Sequence, residues 1–487
     1  MKVTHDPIRF WAAFQPGRLA LKSERHEWTY AELEAAVAAT TEALVARGLG
    51  MGEHLALEFP PEEGALLTVT LHAAHRLGLL PVLIPSSATP AEREALRLKA
   101  YADFILTAEG IAVPAAAAAA GPLVPEAEPP LRRLDAPAVV VFTSGTAASP
   151  RAVVLTQGNL LWSAIASGRN LGVLPGDRWL CCMPLHHVGG LSIVTRAAAY
   201  GTAVVLHPRF DADAVNHAID HDEITLLSLV PTMLARLLQA RGGRLFPSRL
   251  RAALIGGGPI EGALMEEAAA LRLMALPTYG LTEAASQVTT LSRREWPAGL
   301  SSAGRPLPFT RVEIRDEAGR PVRPGQEGEI VVHGPTVMAG YLGEPDATAE
   351  TLRGRWLHTG DTGTWDAEGR LVVLDRRADQ IVSGGENVSP AEVEKVLAAN
   401  PSIADVCVVG LPSTEWGQEV AAVVSLRPGA MLTLEGMRQH AAATLASFKL
   451  PRHVMIASAV PRSAGGKLLR RVARERFLDE VAKQKHP

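Results

Sequence analysis

A loop of small hydroxyl residues between two apolar runs carries the most distinctive chemistry in this sequence. Residues 139–142 form one apolar run, residues 152–155 form another, and the loop lies between them. Its polar residues are Thr143, Ser144, Gly145 and Thr146, with Arg151 at the far end. Backbone N–H and hydroxyl groups in such a loop can bind a polyanion, and glycine permits close backbone approach. The pattern indicates a phosphate-binding loop, although an ordinary turn between strands explains this segment alone nearly as well.

Other polar clusters follow predicted strands, where α/β proteins usually place their sites. Three glycines, residues 256–258, can hold the backbone against a planar ring. Residues 279–283 combine an aromatic ring, a hydroxyl and a carboxylate, and a carboxylate beside phosphates commonly holds Mg²⁺. Asp361 can accept hydrogen bonds from both hydroxyls of a ribose, Arg376 can donate to the same sugar, and Lys467 follows two glycines. Each cluster by itself also has a purely structural explanation, such as a glycine turn or a solvated lysine.

The bulk composition is that of a globular protein with more than one domain. The chain has 487 residues, of which 47% are hydrophobic and 20% charged, and its net charge is −3. This length is too great for a single core, and the near-neutral balance argues against a nucleic-acid-binding surface. We expect neither a signal peptide nor a membrane-spanning segment. Three cysteines do not make a disulfide framework, so we expect buried free thiols and a cytoplasmic location.

Apolar strands alternate with helical patterns through much of the chain, which predicts an α/β fold. The strands predicted at residues 138–142, 226–229 and 252–255 belong to a largely parallel sheet. Residues 300–375 carry Gly and Pro turns at short intervals between brief β runs, which predicts a β-rich subdomain. Residues 110–135 are rich in Ala, Pro and Gly and predict a surface connection.

The last part of the chain predicts a small α+β domain. A capping-box pattern at residues 389–392 starts a helix, and predicted strands and a second helix follow it. We place the domain boundary beside Arg376. Residues 1–376 then form a large N-terminal domain of layered α/β subdomains plus the β-rich one, and residues 377–487 form the small C-terminal domain.

The order of these motifs resembles that of the adenylate-forming superfamily, which includes acyl-CoA synthetases, luciferases and carrier-loading adenylation domains. The resemblance extends over essentially the whole chain. The matching motifs are Thr143-Ser144-Gly145-Thr146, Tyr279-Gly280-Leu281-Thr282-Glu283, His358-Thr359-Gly360-Asp361, Asp375-Arg376, Ser383-Gly384-Gly385-Glu386-Asn387-Val388 and Gly466-Lys467. The resemblance implies the two domains given above, with a mobile C-terminal domain that rotates between two half-reactions.

The resemblance also implies roles for the matching residues, with ATP and Mg²⁺ as cofactors and CoA as co-substrate. Glu283 holds Mg²⁺, Thr282 contacts the α-phosphate, and Lys467 bridges the substrate carboxylate and the α-phosphate as negative charge builds up. After pyrophosphate leaves, rotation withdraws Lys467 and brings the segment of Ser383, Gly384 and Gly385 to the pantetheine tunnel. The remaining implied contacts are to the phosphates (Thr143, Ser144, Gly145, Thr146 and Arg151), the adenine (Gly257, Gly258 and Tyr279) and the ribose (Asp361 and Arg376).

Further segments narrow the resemblance to the o-succinylbenzoate-CoA ligases of menaquinone biosynthesis. These segments are residues 184–192, 200–206, 280–288, 302–307 and 383–390. That family activates the succinyl carboxylate of an aromatic keto acid, so a polar group in an apolar pocket must recognise the second carboxylate. The candidates for that role are His187, Ser192, Arg196 and Gln287, and His187 also stands among the catalytic candidates. A packing role for His187 and a helix-surface position for Arg196 are the open alternatives.

The phosphate loop and the hinge depart from the family pattern. The family loop usually continues Thr-Thr-Gly-x-Pro-Lys, whereas Thr146 is followed here by Ala147-Ala148-Ser149-Pro150-Arg151. The missing glycine and hydroxyl remove flexibility and one donor, while arginine keeps the charge and changes the geometry. Ala378 stands at the hinge, where many relatives carry Asp or Lys. These departures bear on rate more than on reaction type.

The sequence therefore predicts an ATP- and Mg²⁺-dependent acid-CoA ligase that acts on o-succinylbenzoate. One alternative is a ligase for another aryl or medium-chain acid. A second alternative, suggested by the altered loop, is a non-catalytic nucleotide-binding homologue. We expect the carboxylic acid, ATP and CoA as partners, without nucleic acid or membrane insertion. The oligomeric state stays open, a homo-oligomer included.

Overall fold

A computed structural model describes most of the chain. The described residues are 3–86, 88, 90–111, 131–143, 150–258, 260, 262–376, 381–383, 386–388, 390–413, 416–445, 447–463 and 466–485. They fall into two compact units, the first made of Met1–Val312 and Val331–His358 and the second of Glu313–Ile330 and Thr359–Pro487. The boundary beside Arg376 stays a prediction, and most of the expected surface connection, residues 112–130, lies outside the described residues.

The described strands are numbered in chain order. They are β1 (Val3–Thr4), β2 (Leu19–Lys22), β3 (Glu27–Thr29), β4 (His54–Glu58), β5 (Leu80–Leu83), β6 (Phe104–Thr107), β7 (Arg132–Arg133), β8 (Pro137–Phe142), β9 (Ala152–Thr156), β10 (Arg178–Cys181), β11 (Ala203–Leu206), β12 (Leu226–Leu229), β13 (Ala252–Ile255), β14 (Ala275–Leu281), β15 (Ser286–Thr290), β16 (Arg305–Pro306), β17 (Arg311–Arg315), β18 (Gly328–His333), β19 (Gly340–Tyr341), β20 (Leu352–Arg353), β21 (Trp356–Trp365), β22 (Leu371–Arg376), β23 (Ile381–Ser383), β24 (Glu386–Val388), β25 (Ile403–Ser413), β26 (Gly417–Leu426) and β27 (His453–Ile456).

The described α-helices are numbered in the same way. They are α1 (Pro7–Phe14), α2 (Tyr30–Ala46), α3 (Gly64–Leu77), α4 (Pro90–Lys99), α5 (Gln157–Leu171), α6 (Val188–Tyr200), α7 (Ala212–His221), α8 (Pro231–Arg241), α9 (Gly262–Ala270), α10 (Pro345–Thr351), α11 (Pro390–Ala398), α12 (Leu434–Ala442) and α13 (Arg470–Lys485). A short 3₁₀ turn, Thr282–Ala284, joins β14 to β15. No helix in the described ranges is long and apolar enough to span a membrane.

Two large sheets organise the first unit. In the described chain, one sheet has the order β16-β15-β14-β13-β12-β10-β11-β2-β3, and its strands from β14 to β2 run parallel. The other has the order β19-β9-β8-β5-β4-β6, with β8, β5, β4 and β6 parallel. All four residues of β13 are buried, because strands of a parallel sheet covered on both faces are apolar throughout. The predicted α/β fold with a largely parallel sheet is confirmed.

Local signals fix the helices that carry site residues. Helix α5 begins with a capping box, in which the Thr156 hydroxyl accepts from the Asn159 N–H (3.1 Å) and the Asn159 amide oxygen accepts from the Thr156 N–H (2.8 Å). Helix α6 follows His187 and ends at Gly201, which adopts a φ of 70°. A Cβ at Gly201 would lie 2.5 Å from the Trp11 ring, so both conformation and space require glycine there.

The β-rich stretch and the α+β tail follow the predicted order. Strands β16 to β22 lie within residues 300–376, and β21 pairs antiparallel with β22. The C-terminal sheet has the order β24-β23-β26-β25, with β27 parallel to β26, and α11 and α12 supply buried residues to its core. Helix α13 was missing from the sequence prediction. Of its side chains described by the structure, only Ala473 and Phe477 belong to the core, so the sequence has little apolar periodicity there.

Candidate active site

The predicted phosphate loop is closed at its base by a pair of hydrogen bonds. Strands β8 and β9 pair antiparallel, and the loop connects them. The Thr143 N–H donates to the Arg151 carbonyl (3.0 Å), and the Arg151 N–H donates to the Thr143 hydroxyl (3.1 Å). Thr143 therefore has its hydroxyl proton left to donate to a ligand. The loop residues Ser144, Gly145 and Thr146, with positions 147–149, lie outside the described residues.

Arg151 contacts a tyrosine that the sequence analysis did not single out. Its guanidinium lies over the Tyr341 ring, 4.9 Å from the centroid, and 3.9 Å from a Glu344 carboxylate oxygen. Tyr341 lies on β19, which pairs with β9, so the strand order brings the ring to the end of the loop. A guanidinium stacks well on an aromatic face, which a lysine ammonium does less well. The arginine at this position is thus held beside the loop.

The same tyrosine holds Glu283. The Tyr341 hydroxyl donates to Glu283 Oε1 (3.0 Å), and the Glu283 carbonyl accepts from the Met338 N–H (2.8 Å). Burial, and then the Glu283 charge, raise the pKa of Tyr341 to about 12, so its hydroxyl stays a donor at neutral pH. Glu283 Oε2 accepts no hydrogen bond from the described part of the chain. A carboxylate with one oxygen fixed and one available has the chemistry that Mg²⁺ binding requires.

Close backbone contacts shape the motif around Glu283. A Cβ at Gly280 would lie 1.7 Å from the Ser286 carbonyl oxygen, so only glycine fits there. Between these two residues the chain makes the 3₁₀ turn and then bends at Ala285 (φ 51°) and Ser286 (φ 94°). Both are non-glycine residues at positive φ, which costs free energy and is concentrated at functional sites. Thr282 and Glu283 thus occupy the tip of a constrained turn.

The glycine run after β13 packs against β14. A Cβ at Gly256 would lie 2.7 Å from the Thr278 methyl carbon, and Gly257 has a φ of 83°. Gly257 and Gly258 therefore follow a point of close strand contact, as a flat surface for adenine requires. Tyr279, the predicted adenine-lining aromatic, is buried in β14 beside them.

Gln287 lies in a buried group of hydroxyls. Its amide nitrogen donates to Thr290 Oγ1 (2.9 Å), and Thr278 Oγ1 lies 2.8 Å from that same oxygen. The Gln287 amide oxygen is buried and has no hydrogen-bond partner among the described residues. A buried amide oxygen is normally paired, so this one is available to a ligand donor or to water.

The paired histidines at the start of α6 are both neutral. The rings of His186 and His187 lie 4.5 Å apart. Burial, and then His187, lower the pKa of His186 to about 3, and burial also lowers the pKa of His187. His186 lines a cavity of about 80 Å³ at the carboxyl ends of β4, β5, β10 and β11, whereas His187 does not. Ser192 is buried, and its hydroxyl donates to the Gly189 carbonyl (3.0 Å) of its own helix.

Arg196 is fully buried, so the alternative of a helix-surface arginine is wrong. Its Nη2 donates to the Ser163 hydroxyl (3.1 Å), and its guanidinium lies 5.8 Å from the centroid of the Trp179 ring. No carboxylate forms an ion pair with it within the described ranges, and its Nε has no partner there. Burial lowers the pKa of Arg196 to about 10, which leaves it charged at neutral pH.

The predicted ribose-binding residues are cross-strand neighbours in the second unit. Asp361 on β21 lies opposite Arg376 on β22. Asp361 is buried, and its N–H donates to Thr359 Oγ1 (3.1 Å), whose hydroxyl donates to the Ile330 carbonyl (2.7 Å). Ser383 is buried at the end of β23, while Gly384 and Gly385 lie outside the described residues.

Lys467 is carried by a tight turn. The Ser463 N–H donates to the Lys467 carbonyl (2.8 Å), and the Lys467 N–H donates to Ser463 Oγ (3.2 Å). Gly466 adopts a φ of 81°, and its carbonyl accepts from Arg462 (2.6 Å). Arg462 also forms an ion pair with Asp405 on β25 (2.7 Å). The turn is thereby fastened to the sheet of the second unit.

Two protein-family models together match most of the residues of this chain. A family described as AMP-binding enzyme matches residues 8–342, and the AMP-binding enzyme C-terminal domain matches residues 392–467. The chain belongs to the AMP-binding enzyme family. The 2-succinylbenzoate–CoA ligase of Bacillus cereus is 37% identical over 474 residues, which cover 95% of this chain and 96% of that relative.

Solved structures give the same family. The o-succinylbenzoate CoA synthetase of Bacillus subtilis, in complex with the acyl-adenylate intermediate, has a TM-score of 0.88 and 34% identity over 97% of this chain and 99% of its own. The same synthetase with ATP and magnesium ion has a TM-score of 0.87 and 34% identity over 96% of this chain and 99% of its own. The adenylate-forming resemblance is confirmed.

Three residues of this AMP-binding enzyme were missed from the sequence, namely Tyr341, Arg462 and Ser163. Tyr341 and Ser163 contact predicted site elements across long stretches of chain, so spacing within a motif gives no sign of them. Arg462 lies close to Lys467 in sequence, but its ion pair with Asp405 joins residues 57 positions apart. Tyr341 had one local signal, because a Gly-Tyr pair in a β-rich stretch follows the pattern of a short strand with a buried aromatic.

Proposed function

We propose that this AMP-binding enzyme is an ATP- and Mg²⁺-dependent acid-CoA ligase and that its acid is o-succinylbenzoate. One observation carries the proposal. Tyr341 contacts both Glu283, a carboxylate with one available oxygen, and Arg151, the cation at the end of the phosphate loop. A carboxylate and a guanidinium are thus fixed on one tyrosine side chain, which supports a site for a magnesium nucleotide.

In the first step, a carboxylate oxygen of the acid attacks the α-phosphorus of ATP, and pyrophosphate leaves. The Thr143 hydroxyl donates a hydrogen bond to the phosphates, Thr282 contacts the α-phosphate, and Arg151 adds positive charge. Mg²⁺ bound at Glu283 would neutralise charge on the phosphates. Asp361 and Arg376 bind the ribose hydroxyls, and Gly257, Gly258 and Tyr279 line the adenine. Lys467 places its ammonium where the attacking and α-phosphate oxygens gain negative charge, which stabilises the transition state.

In the second step, the CoA thiol loses its proton and its sulfur attacks the acyl carbon, and AMP leaves. The segment of Ser383, Gly384 and Gly385 lies along the pantetheine. Two steps with different nucleophiles at one site suit a mobile C-terminal domain, since each step needs its own groups and both exclude water.

Recognition of the second carboxylate falls to polar groups. The relatives that carry the name 2-succinylbenzoate–CoA ligase support this choice of acid. Gln287 is a candidate because it is buried beside the hydroxyls of Thr278 and Thr290, and a hydroxyl or amide N–H that turned towards the acid could donate to a carboxylate. His187 is exposed at the start of α6, and partial desolvation lowers its pKa, so its neutral ring contributes one N–H. The buried free cysteines Cys181, Cys182 and Cys407 support a reducing compartment, the cytoplasm.

The direct test is CoA-dependent AMP release with o-succinylbenzoate, measured beside a panel of benzoates and fatty acids. We expect the highest kcat/KM with o-succinylbenzoate and no AMP release without CoA after the first turnover. Turnover of the panel acids alone would reject the proposed acid. ATP binding without turnover of any acid would reject the ligase and favour a non-catalytic homologue.

The second test separates the two steps with Lys467→Ala. We expect acid-dependent exchange of pyrophosphate into ATP to fall by about 100-fold or more, since a preorganised charge is lost, while CoA capture from supplied acyl-adenylate persists. Lys449, which forms an ion pair with Glu392 (2.6 Å) in the same unit, provides the matched control, and Lys449→Ala should leave both steps unchanged. Equal loss of both steps in Lys467→Ala would contradict the two-conformation mechanism.

A further inference from the structure

Behind the Glu283 turn lies a buried chain of two hydrogen bonds whose direction is fixed. Arg196 Nη2 donates to Ser163 Oγ (3.1 Å), and Ser163 Oγ bonds to the Ala285 carbonyl (2.7 Å). A guanidinium has only donors, so Ser163 must accept from Arg196 and give its single proton to Ala285. The charge of Arg196 thus reinforces the bond that holds the Ala285 carbonyl.

The carbonyl at the end of this chain belongs to the strained corner of the turn. Ala285 has a φ of 51° and its N–H bonds back to the Thr282 carbonyl (3.1 Å). The following residue, Ser286, keeps its carbonyl against Gly280, where no Cβ fits. A left-handed alanine persists only where its surroundings over-determine it, and the Ser163 hydroxyl is one such constraint.

The packing of two helices explains how these two hydrogen bonds reach the turn. Helix α5 carries Ser163 and helix α6 carries Arg196, and the two helices pack on each other and on β15. A buried guanidinium without a carboxylate in the described residues is costly, and the contact with Trp179 offsets only part of that cost. Hydrophobic residues would fill the same space at less cost, so the arginine contributes something other than stability.

We propose that Arg196 and Ser163 are positioning residues for adenylation, which hold the Ala285 corner so that Thr282 and Glu283 face the magnesium nucleotide. This inference rests on the proposed function, because it assigns the nucleotide and Mg²⁺ to Thr282 and Glu283. It also gives Arg196 a role different from contact with the second carboxylate of the acid. The two roles change different kinetic constants.

The test uses Ser163→Ala, Arg196→Met and the double variant in the full-length enzyme. Pyrophosphate exchange is measured against Mg²⁺, ATP and acid concentration, and CoA capture is measured with supplied acyl-adenylate. We expect the half-saturating Mg²⁺ concentration to rise about 10-fold in each single variant, with adenylation kcat lowered and CoA capture retained. The double variant should be no worse than Arg196→Met, because both substitutions break one chain. Ser163→Thr keeps the hydroxyl and should therefore retain the wild-type Mg²⁺ dependence.

Arg241 provides the matched control. It is also a buried arginine of the first unit, but it forms an ion pair with Asp220 (2.8 Å) on α7. Arg241→Met should lower thermal stability and leave the Mg²⁺ dependence of the folded enzyme unchanged. If Ser163→Ala and Arg196→Met behave like this control, the inference is wrong.

Two other outcomes would also overturn the inference. A rise confined to the KM for the acid in Arg196→Met would assign Arg196 to substrate recognition instead. Additive effects in the double variant would show that the two residues act separately. Failure of the proposed function would appear differently, as absence of pyrophosphate exchange in the wild-type enzyme with every acid.

Discussion

Two buried clusters of charge in the first unit are built in opposite ways. Near the N-terminus, Asp6 caps α1, accepting from the Ile8 N–H (3.0 Å), and it also accepts from Arg76 (3.0 Å) and Arg132. Arg76 forms a two-pronged ion pair with Glu34 (3.0 and 2.7 Å). This N-terminal cluster, Asp6, Glu34, Arg76 and Arg132, contains two negative and two positive charges. Behind the Glu283 turn, Arg196 has a serine and an indole ring as neighbours instead of a carboxylate.

We interpret the paired charges of the N-terminal cluster as supporting the fold and the charge of Arg196, which has no carboxylate partner in the described residues, as supporting the site. In the N-terminal cluster, burial by itself would raise the pKa of Asp6, yet Arg132 and Arg76 lower it well below its ordinary value. The ionised form is therefore the stable one in the folded protein. At Arg196 burial lowers the pKa and the nearby Tyr200 raises it by less, so the net shift is that of a charge held with little compensation. A charge kept at such a cost is expected to matter to chemistry.

The largest expected effect comes from breaking the paired cluster. Asp6→Ala leaves Arg132 and Arg76 without one shared partner and removes the cap of α1, so the free energy of unfolding should fall by about 3–5 kcal/mol. Chemical denaturation measures this loss, and kcat for adenylation per folded molecule should not change. Asp103, which is exposed, is the control, and Asp103→Ala should stay within about 0.5 kcal/mol of the wild type. A loss of activity without a loss of stability would erase the distinction between the two clusters.

A smaller effect should appear in the pH dependence of stability. His72 lies beside Arg132, Arg76 and Asp6, and burial, followed by Arg132, lowers its pKa from 6.5 to about 3. The unfolded state therefore binds a proton that the folded state does not, and stability falls as the pH drops from 6.5 towards 3. His72→Leu should reduce that slope by about 1.4 kcal/mol per pH unit. Denaturation curves between about pH 6 and pH 4 measure it, and parallel profiles for variant and wild type would show that His72 titrates normally.

The smallest effect should come from a single hydroxyl at the site. Tyr341→Phe removes the donor to Glu283 Oε1 and keeps the ring under Arg151, so the half-saturating Mg²⁺ concentration should rise about fivefold, equivalent to about 1 kcal/mol. Tyr200→Phe removes a comparable hydroxyl bond, to the Ala164 carbonyl, and should not alter the Mg²⁺ dependence. An unchanged Mg²⁺ dependence in Tyr341→Phe would remove Glu283 from the metal site.

The sequence predicted features that depend on neighbouring residues. Strand β13 matches the predicted residues 252–255, because a buried parallel strand is an uninterrupted apolar run. The motif that contains Thr282 and Glu283 was also found, since its residues are contiguous, but the 3₁₀ turn that it forms was not predicted. The positive φ at Ala285 and Ser286 was not predicted either, because neither residue type signals a left-handed conformation.

Features that depend on tertiary contact could not be predicted in the same way. Ser163 bonds to a residue 122 positions away, and Tyr341 to one 58 positions away. The N-terminal cluster joins Asp6 to Arg132 across 126 positions. The burial of Arg196 was likewise hidden, because arginine is rarely buried and the apolar pattern of α6 fits either orientation.

The turn that carries Lys467 has a consequence for the timing of catalysis. Its backbone bonds to Ser463 and its tie through Arg462 to Asp405 leave the lysine backbone little freedom of its own. In the proposed mechanism, Lys467 would therefore move together with the second unit, and its arrival at the substrate would be set by whole-domain motion rather than by a fast loop. Domain motions take microseconds to milliseconds, whereas free loops move in nanoseconds to microseconds. A probe attached to the exposed face of α12 should then report the same rate constant as the appearance of the adenylate.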